Sequence, residues 1–214
     1  MRLTLLLCLA AASTCLTACP PASPPAESAR PFVVMRGMPL NADAYHPPVA
    51  ALVREGIPQK FGREEWDAVV LTQEVHGHVG IYTILGAKMG VKAREALDAP
   101  VHNIHVVSET GHDQPLACMI DGLQVSIKST LGQSLIEVPE LENPGVAATF
   151  TYEDRSVRVA LTPEYTENIA RRIQQAIADH GDLTPAYFDE IQAQSYEVWA
   201  TFDRNEIFEV EPVS

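Results

Sequence analysis

The chain has 214 residues and carries 28 Asp and Glu against 15 Lys and Arg, a formal net charge of −13. That balance excludes a nucleic-acid binder or a protein held electrostatically on anionic lipid, both of which need clustered Lys and Arg. A chain of this length can bury one good core, with room for an elaboration.

In chain order, Arg2 precedes an apolar run from Leu3 to Leu9, and small residues then lead to Leu16-Thr17-Ala18-Cys19. This is the pattern of a secretory signal, residues 1–18, ending in a lipobox. The apolar run is too short to span a membrane, which takes about 20 residues. Cleavage before Cys19 would leave an acylated cysteine as the new N-terminus, and residues 19–31, rich in Pro, Ala and Ser, read as a tether. The expectation is a protein of the bacterial cell envelope, anchored to the membrane by lipid on Cys19, on the periplasmic or extracellular side. Cys8 and Cys15 leave with the signal, so Cys118 is the one thiol of the folded body and no intrachain disulfide forms. In an oxidising compartment such a thiol needs burial or a bound partner.

Residues 32–214 read as one domain. Residues 31–48 read as a proline-broken extended arm, and Pro47 to Glu55 begins a short helix. Gly62 to Val75 is a helix with Trp66, Val69 and Val70 on the buried side, and Arg63, Glu64, Glu65 and Asp67 opposite. A second helix, Gly80 to Leu97, carries Gly86, Ala87 and Gly90, which let a neighbour approach closely. A strand follows from Val101 to Ser108. A third helix runs from Leu116 to about Leu131 and stops at Gly132, with Leu116, Ile120, Leu123 and Ile127 facing the core. Three strands come next, at 134–138, 146–153 and 155–162, the last two joined as a tight hairpin at Asp154. The tail holds helices at Thr166 to Asp179 and Thr184 to Trp199 and a final strand, Phe208-Glu-Val-Glu-Pro-Val213. Helices and strands are grouped rather than strictly alternating. The expected fold is therefore α+β, with helices packed on a mostly antiparallel sheet and extra C-terminal helices.

The chemistry gathers around His76-Gly77-His78 and the third helix. Cys118 and Asp121 are three apart on that helix and share a face. A thiol, a carboxylate and two imidazoles form a plausible transition-metal set, and zinc accepts all three donor types. His76 and His78 reach one ion only if Gly77 bends the chain, and their place at a helix junction favours that bend. The competing reading is a helix end whose histidines bond free carbonyls. Met35, Met38, His46, His102 and His105 lie in an irregular arm or on differing strand faces and are not read as ligands. No Ser/His/Asp nucleophile motif, phosphate loop or dinucleotide fingerprint is present.

The order His76-Gly77-His78, Gly86, Gly90, Glu109, Cys118-Met119-Ile120-Asp121-Gly122-Leu123-Gln124 and Thr130-Leu131-Gly132 resembles the core of the FmdE domain family, named for formylmethanofuran dehydrogenase, over about Trp66 to Leu161. The resemblance implies an α+β core at about 61–162, often a homodimer, with the extension at 163–214 added to it. It also implies a polar cleft with metal, where His76, His78 and Cys118 are the ligands and Asp121 is a fourth ligand or orients an imidazole. Two family cysteines are replaced, by Gly80 and Ser129, and the C-terminal zinc finger of some members is missing. His112 could supply a replacement donor, and Tyr82 could line the cleft. Formylmethanofuran chemistry is cytoplasmic and belongs to a multi-protein enzyme, so that activity is not expected of an exported chain.

Three functions follow. The first is an exported, lipid-anchored accessory protein of a redox system that binds a transition metal, zinc above others, or a metal-containing cofactor such as haem or another tetrapyrrole. The second is a zinc-dependent hydrolase or lyase acting on a small molecule, with Glu109 or Glu74 as general base. The third is a structural lipoprotein with a vestigial cleft and an important dimer surface.

Overall fold

A computed structural model of the chain describes residues 37–213. The signal segment, Cys19, the tether and Met35 lie outside the described residues. Among the described residues no helix is long and apolar enough to cross a membrane.

The helical layer begins with α1 (Pro47–Arg54) and α2 (Ile57–Phe61), both with proline in the first turn, where a missing N–H costs nothing. Next come α3 (Arg63–His76) and α4 (Ile81–Leu97). Helix α4 is the centre of the molecule. It packs on α3 and α5 (Met119–Ile127) on one side and on the sheet on the other, so twelve of its seventeen residues are buried. The glycines of α4 allow this crowding. A Cβ on Gly86 would collide with the Met119 carbonyl, and one on Gly122 of α5 would collide with the backbone of Thr83 and Ala87.

The sheet contains β1 (His105–Ser108), β2 (Ile136–Glu137), β3 (Ala147–Tyr152), β4 (Arg155–Leu161) and β5 (Phe208–Val213), in the order β2-β1-β3-β4-β5. Among the described residues only the β1–β2 pair is parallel. Val106 faces Phe150 and Phe150 faces Val157 across the register, and Val159 and Leu161 continue this buried face towards α4. Intervening Thr149, Thr151 and Arg158 lie on the opposite face, as the two-residue strand period requires. The mixed α+β architecture is thus as the grouped elements predict.

The tail completes the core rather than decorating it. Helices α6 (Pro163–His180) and α7 (Pro185–Thr201) form a hairpin, and α8 (Arg204–Ile207) leads into β5 at the sheet edge. Ile169, Val198, Trp199, Phe202, Ile207 and Phe208 share one hydrophobic cluster with α3 and α4. Trp199 of α7 stacks on Trp66 of α3 at 5.0 Å between ring centroids, the offset-stacked separation that aromatic pairs prefer.

Several expectations are corrected. The strand expected from Val101 starts only at His105, because His102 and Asn103 have positive φ and cannot extend. Helix α5 starts at Met119 after a 3-10 turn over Leu116–Cys118, and ends at Ile127 with Lys128 in the left-handed region. Leu123 and Ile127 lie in the core as expected and Met119 joins them, whereas Leu116 and Ile120 are only partly buried. Glu65 belongs to the interior rather than the solvated side of α3. Its carboxylate accepts from Lys88 Nζ at 2.5 Å and from Arg204 Nη1 at 2.9 Å, and both Glu65 and Lys88 are fully buried.

Candidate functional site

Gly77 answers both readings of the His-Gly-His stretch. It is the left-handed residue closing α3, with φ of 86° and its N–H bonded to the Gln73 carbonyl, the usual way a glycine ends a helix. The same reversal folds His78 back beside His76, so that the rings lie 4.3 Å apart between centroids and tilted by 46°. Gln73 holds the turn from inside. Its Oε1 accepts from the Gly80 N–H at 3.1 Å and lies 2.9 Å from Thr83 Oγ1, tying the end of α3 to the start of α4.

The close α4–α5 packing brings α5 against this junction. His76 Nδ1 lies 2.7 Å from Asp121 Oδ2, and with the carboxylate accepting it is Nδ1 that donates, which turns Nε2 away from Asp121. His76 Nε2 is buried and has no hydrogen-bond partner among the described residues. Leaving a buried polar atom unpaired costs about 1–3 kcal/mol. Asp121 therefore stands behind His76 as its orienting partner, the arrangement that fixes the tautomer of metal-binding imidazoles.

His76, His78 and Cys118 line one cavity of about 720 Å³ together with Tyr82. Its far wall is the α6–α7 hairpin, through Ile173, Ile177, Leu183, Tyr187, Phe188 and Ile191. The C-terminal helices thus cover the cleft of their own chain. A second cavity of about 490 Å³ adjoins it at His78, Val79 and Gln192 and is lined further by Tyr45, His46, Glu74 and Trp199.

Electrostatics distinguish the donors. Burial, with the neighbouring His76 as the smaller cause, lowers the pKa of His78, which favours the neutral imidazole that a metal needs. Burial, and then the Asp121 carboxylate, raises the pKa of the Cys118 thiol. Cys118 is therefore not a free nucleophilic thiolate, and the cation needed to ionise it would have to come with a ligand. Burial likewise raises the Tyr82 hydroxyl.

Two residues singled out by sequence are not brought to the cavity. Glu109 follows β1 and binds Arg158 through both oxygens, each at 2.7 Å. Arg158 alternates with the buried Val157 and Val159, so this pair occupies the face of the sheet turned away from the helices. His112 is exposed, 3.7 Å from Glu140. Sequence reasoning missed Gln73, whose only signal is its place one turn before the glycine. It also missed the hairpin wall, foreshadowed by Ile169, Ile173 and Ile177 at four-residue spacing on α6.

Among the described residues no three or more His, Cys, Asp or Glu side chains converge closely enough to hold a metal ion as they stand. What the structure does bring together is an oriented imidazole with a buried, unpartnered Nε2, a second imidazole against it and a thiol on the same cavity. Those donor types suit a borderline transition metal.

A family model described as FmdE, molybdenum formylmethanofuran dehydrogenase operon, matches residues 75–209. The match begins at the end of α3 and runs past β4 through α6–α8 into β5. Among solved structures, the chain is similar to a tungsten formylmethanofuran dehydrogenase FmdE-like protein from Syntrophus aciditrophicus, with 18% identity, 70% of this chain and 72% of that chain covered, and a TM-score of 0.45. No curated protein matches the chain.

Proposed function

Because the chain belongs to the FmdE family, we propose that it is an accessory protein of a metal-dependent redox system and holds a transition metal, or a metal-containing cofactor, in the cleft at His76 and His78. Cys118 is the third donor, and Asp121 orients His76. The observation that carries this reading is the buried, unpartnered His76 Nε2 beside His78, with the other ring nitrogen held by Asp121. When bound, a metal supplies a Lewis-acidic centre, or in a cofactor a redox centre. The chain's own residues supply orientation, an apolar wall and two imidazole donors. Cys118 binds after losing its proton, so uptake releases a proton and falls as the pH is lowered. The setting proposed for this activity is the outer side of a bacterial membrane, with Cys19 as the lipid anchor.

Elemental analysis and an absorption spectrum of the purified chain test the reading, alongside His76→Ala and Cys118→Ser. About one metal or chromophore per chain, lost or strongly weakened in both variants, is expected. An empty protein that folds equally well with both substitutions would return His-Gly-His to a helix junction.

Asp121→Asn should reduce metal affinity about 10–100-fold while leaving the fold intact, because the orienting charge is lost but the shape is kept. Competition with a chromophoric chelator reads this directly. An unchanged affinity would remove Asp121 from the site.

A further inference from the structure

We infer that the cleft takes an organic ligand with an uncharged, largely apolar body, its one coordinating atom directed to the metal end at His76. The metal reading above supplies only that polar end; the ligand class rests on the walls. These are Ile173, Ile177, Leu183, Tyr187, Phe188 and Ile191 of the hairpin, facing Tyr82 of α4. Three are left substantially in water: Ile177 is 37% exposed, Phe188 48% and Leu183 67%. Large apolar side chains clustered along one wall of a cavity and left partly in water mark a surface completed by something apolar. The volume of about 720 Å³ lies within the range of small-molecule sites and holds a bicyclic or tricyclic body rather than a peptide.

Charge sets the rest of the specificity. Among the described residues lining the cavity none is Lys or Arg, and Asp182 contributes a carboxylate at its rim. A phosphorylated, sulfonated or polycarboxylate ligand would bury its anion without a cation to meet it, inside a chain of net charge −13. The cleft therefore selects against the anionic groups by which most nucleotide-like cofactors are held. Asp182 would tolerate or favour a cationic substituent at the opening.

Two dyes sharing one aromatic skeleton test this on the full chain: uncharged N-phenylnaphthylamine and anionic anilinonaphthalene sulfonate, followed by fluorescence titration with metal content measured on the same samples. One N-phenylnaphthylamine per chain is expected, with the sulfonate bound at least about tenfold more weakly for want of a cation. Phe188→Asp should abolish binding of the neutral dye, and Asp182→Lys should selectively strengthen the sulfonate. Both positions are exposed, so folding, checked by circular dichroism, should not change. Equal binding of the two dyes, or no binding of the neutral one by folded protein, overturns the inference whether or not metal is present. Neutral-dye binding by a chain that holds no metal supports the ligand class and removes the metal reading instead.

Discussion

Glu65→Ala is expected to lower the unfolding free energy by about 3–5 kcal/mol, the cost of stranding a buried charge by deleting its partner. Glu65 is 1% exposed and lies between two cations. Lys88 of α4 reaches it at 2.5 Å, and Arg204 of α8 at 2.9 Å. Lys88 has no exposure, and Glu65 is its hydrogen-bonding carboxylate; the Phe61 ring lies 4.0 Å from the ammonium. Burial pulls the pKa of Lys88 down, and Glu65 is the main influence holding it up. Without Glu65 the ammonium must deprotonate or draw water into the core. Arg204 is less exposed to the loss, since it keeps Glu95 at 2.6 Å and the Phe61 carbonyl at 2.7 Å.

The companion variant decides the interpretation. Glu65→Leu combined with Lys88→Met replaces the pair by apolar groups of similar size, and should recover most of the loss because such replacements are often neutral or stabilising. Urea unfolding of the wild type and the two variants is sufficient. For a domain whose total stability is about 5–15 kcal/mol, the single variant should be visibly impaired. A single variant that unfolds at the wild-type midpoint would mean that the pair does not form in the core.

Gly86→Ala is the second large effect, expected to cost about 3 kcal/mol, the upper part of the range for overpacking, and to empty the cleft as well. The new Cβ would meet the Met119 carbonyl, and backbone cannot rotate out of the way as a side chain can. Helix α5 must therefore move off α4, carrying Cys118 and Asp121 away from His76. Gly90→Ala is the control. Its Cβ would meet Ser126 Oγ, a side-chain atom one turn further from the site, so a smaller loss of about 1 kcal/mol with metal retained is expected. Thermal unfolding together with metal stoichiometry separates the two variants. Equal effects from both would mean that the helix pair yields as a whole and that Gly86 has no special link to the cleft.

The elements were readable wherever they depend on local chain chemistry. Trp66, Val69 and Val70 mark the buried side of α3, the glycines of α4 mark a close helix neighbour, and Thr149 to Val157 reads as a hairpin from its alternation. The same signals misled where one residue changes the phase. A 3-10 turn over Leu116–Cys118 delayed the start of α5 and left Leu116 short of the core, and two left-handed residues shortened β1. Glu65 resembled a solvated helix charge because periodicity cannot tell an exposed charge from one that meets its counter-ion inside.

By itself the sequence determined the α+β elements and the break at Gly77, since each follows from backbone preferences or spacing within a few residues. Only the tertiary structure decided that Asp121 bonds His76 across 45 residues of chain, that Glu109 is held by Arg158 on the far face of the sheet, and that the α6–α7 hairpin walls the cleft of its own chain. Those outcomes depend on how closely whole elements pack, here on glycines that let α4 and α5 touch backbone to backbone, and no local pattern carries that distance.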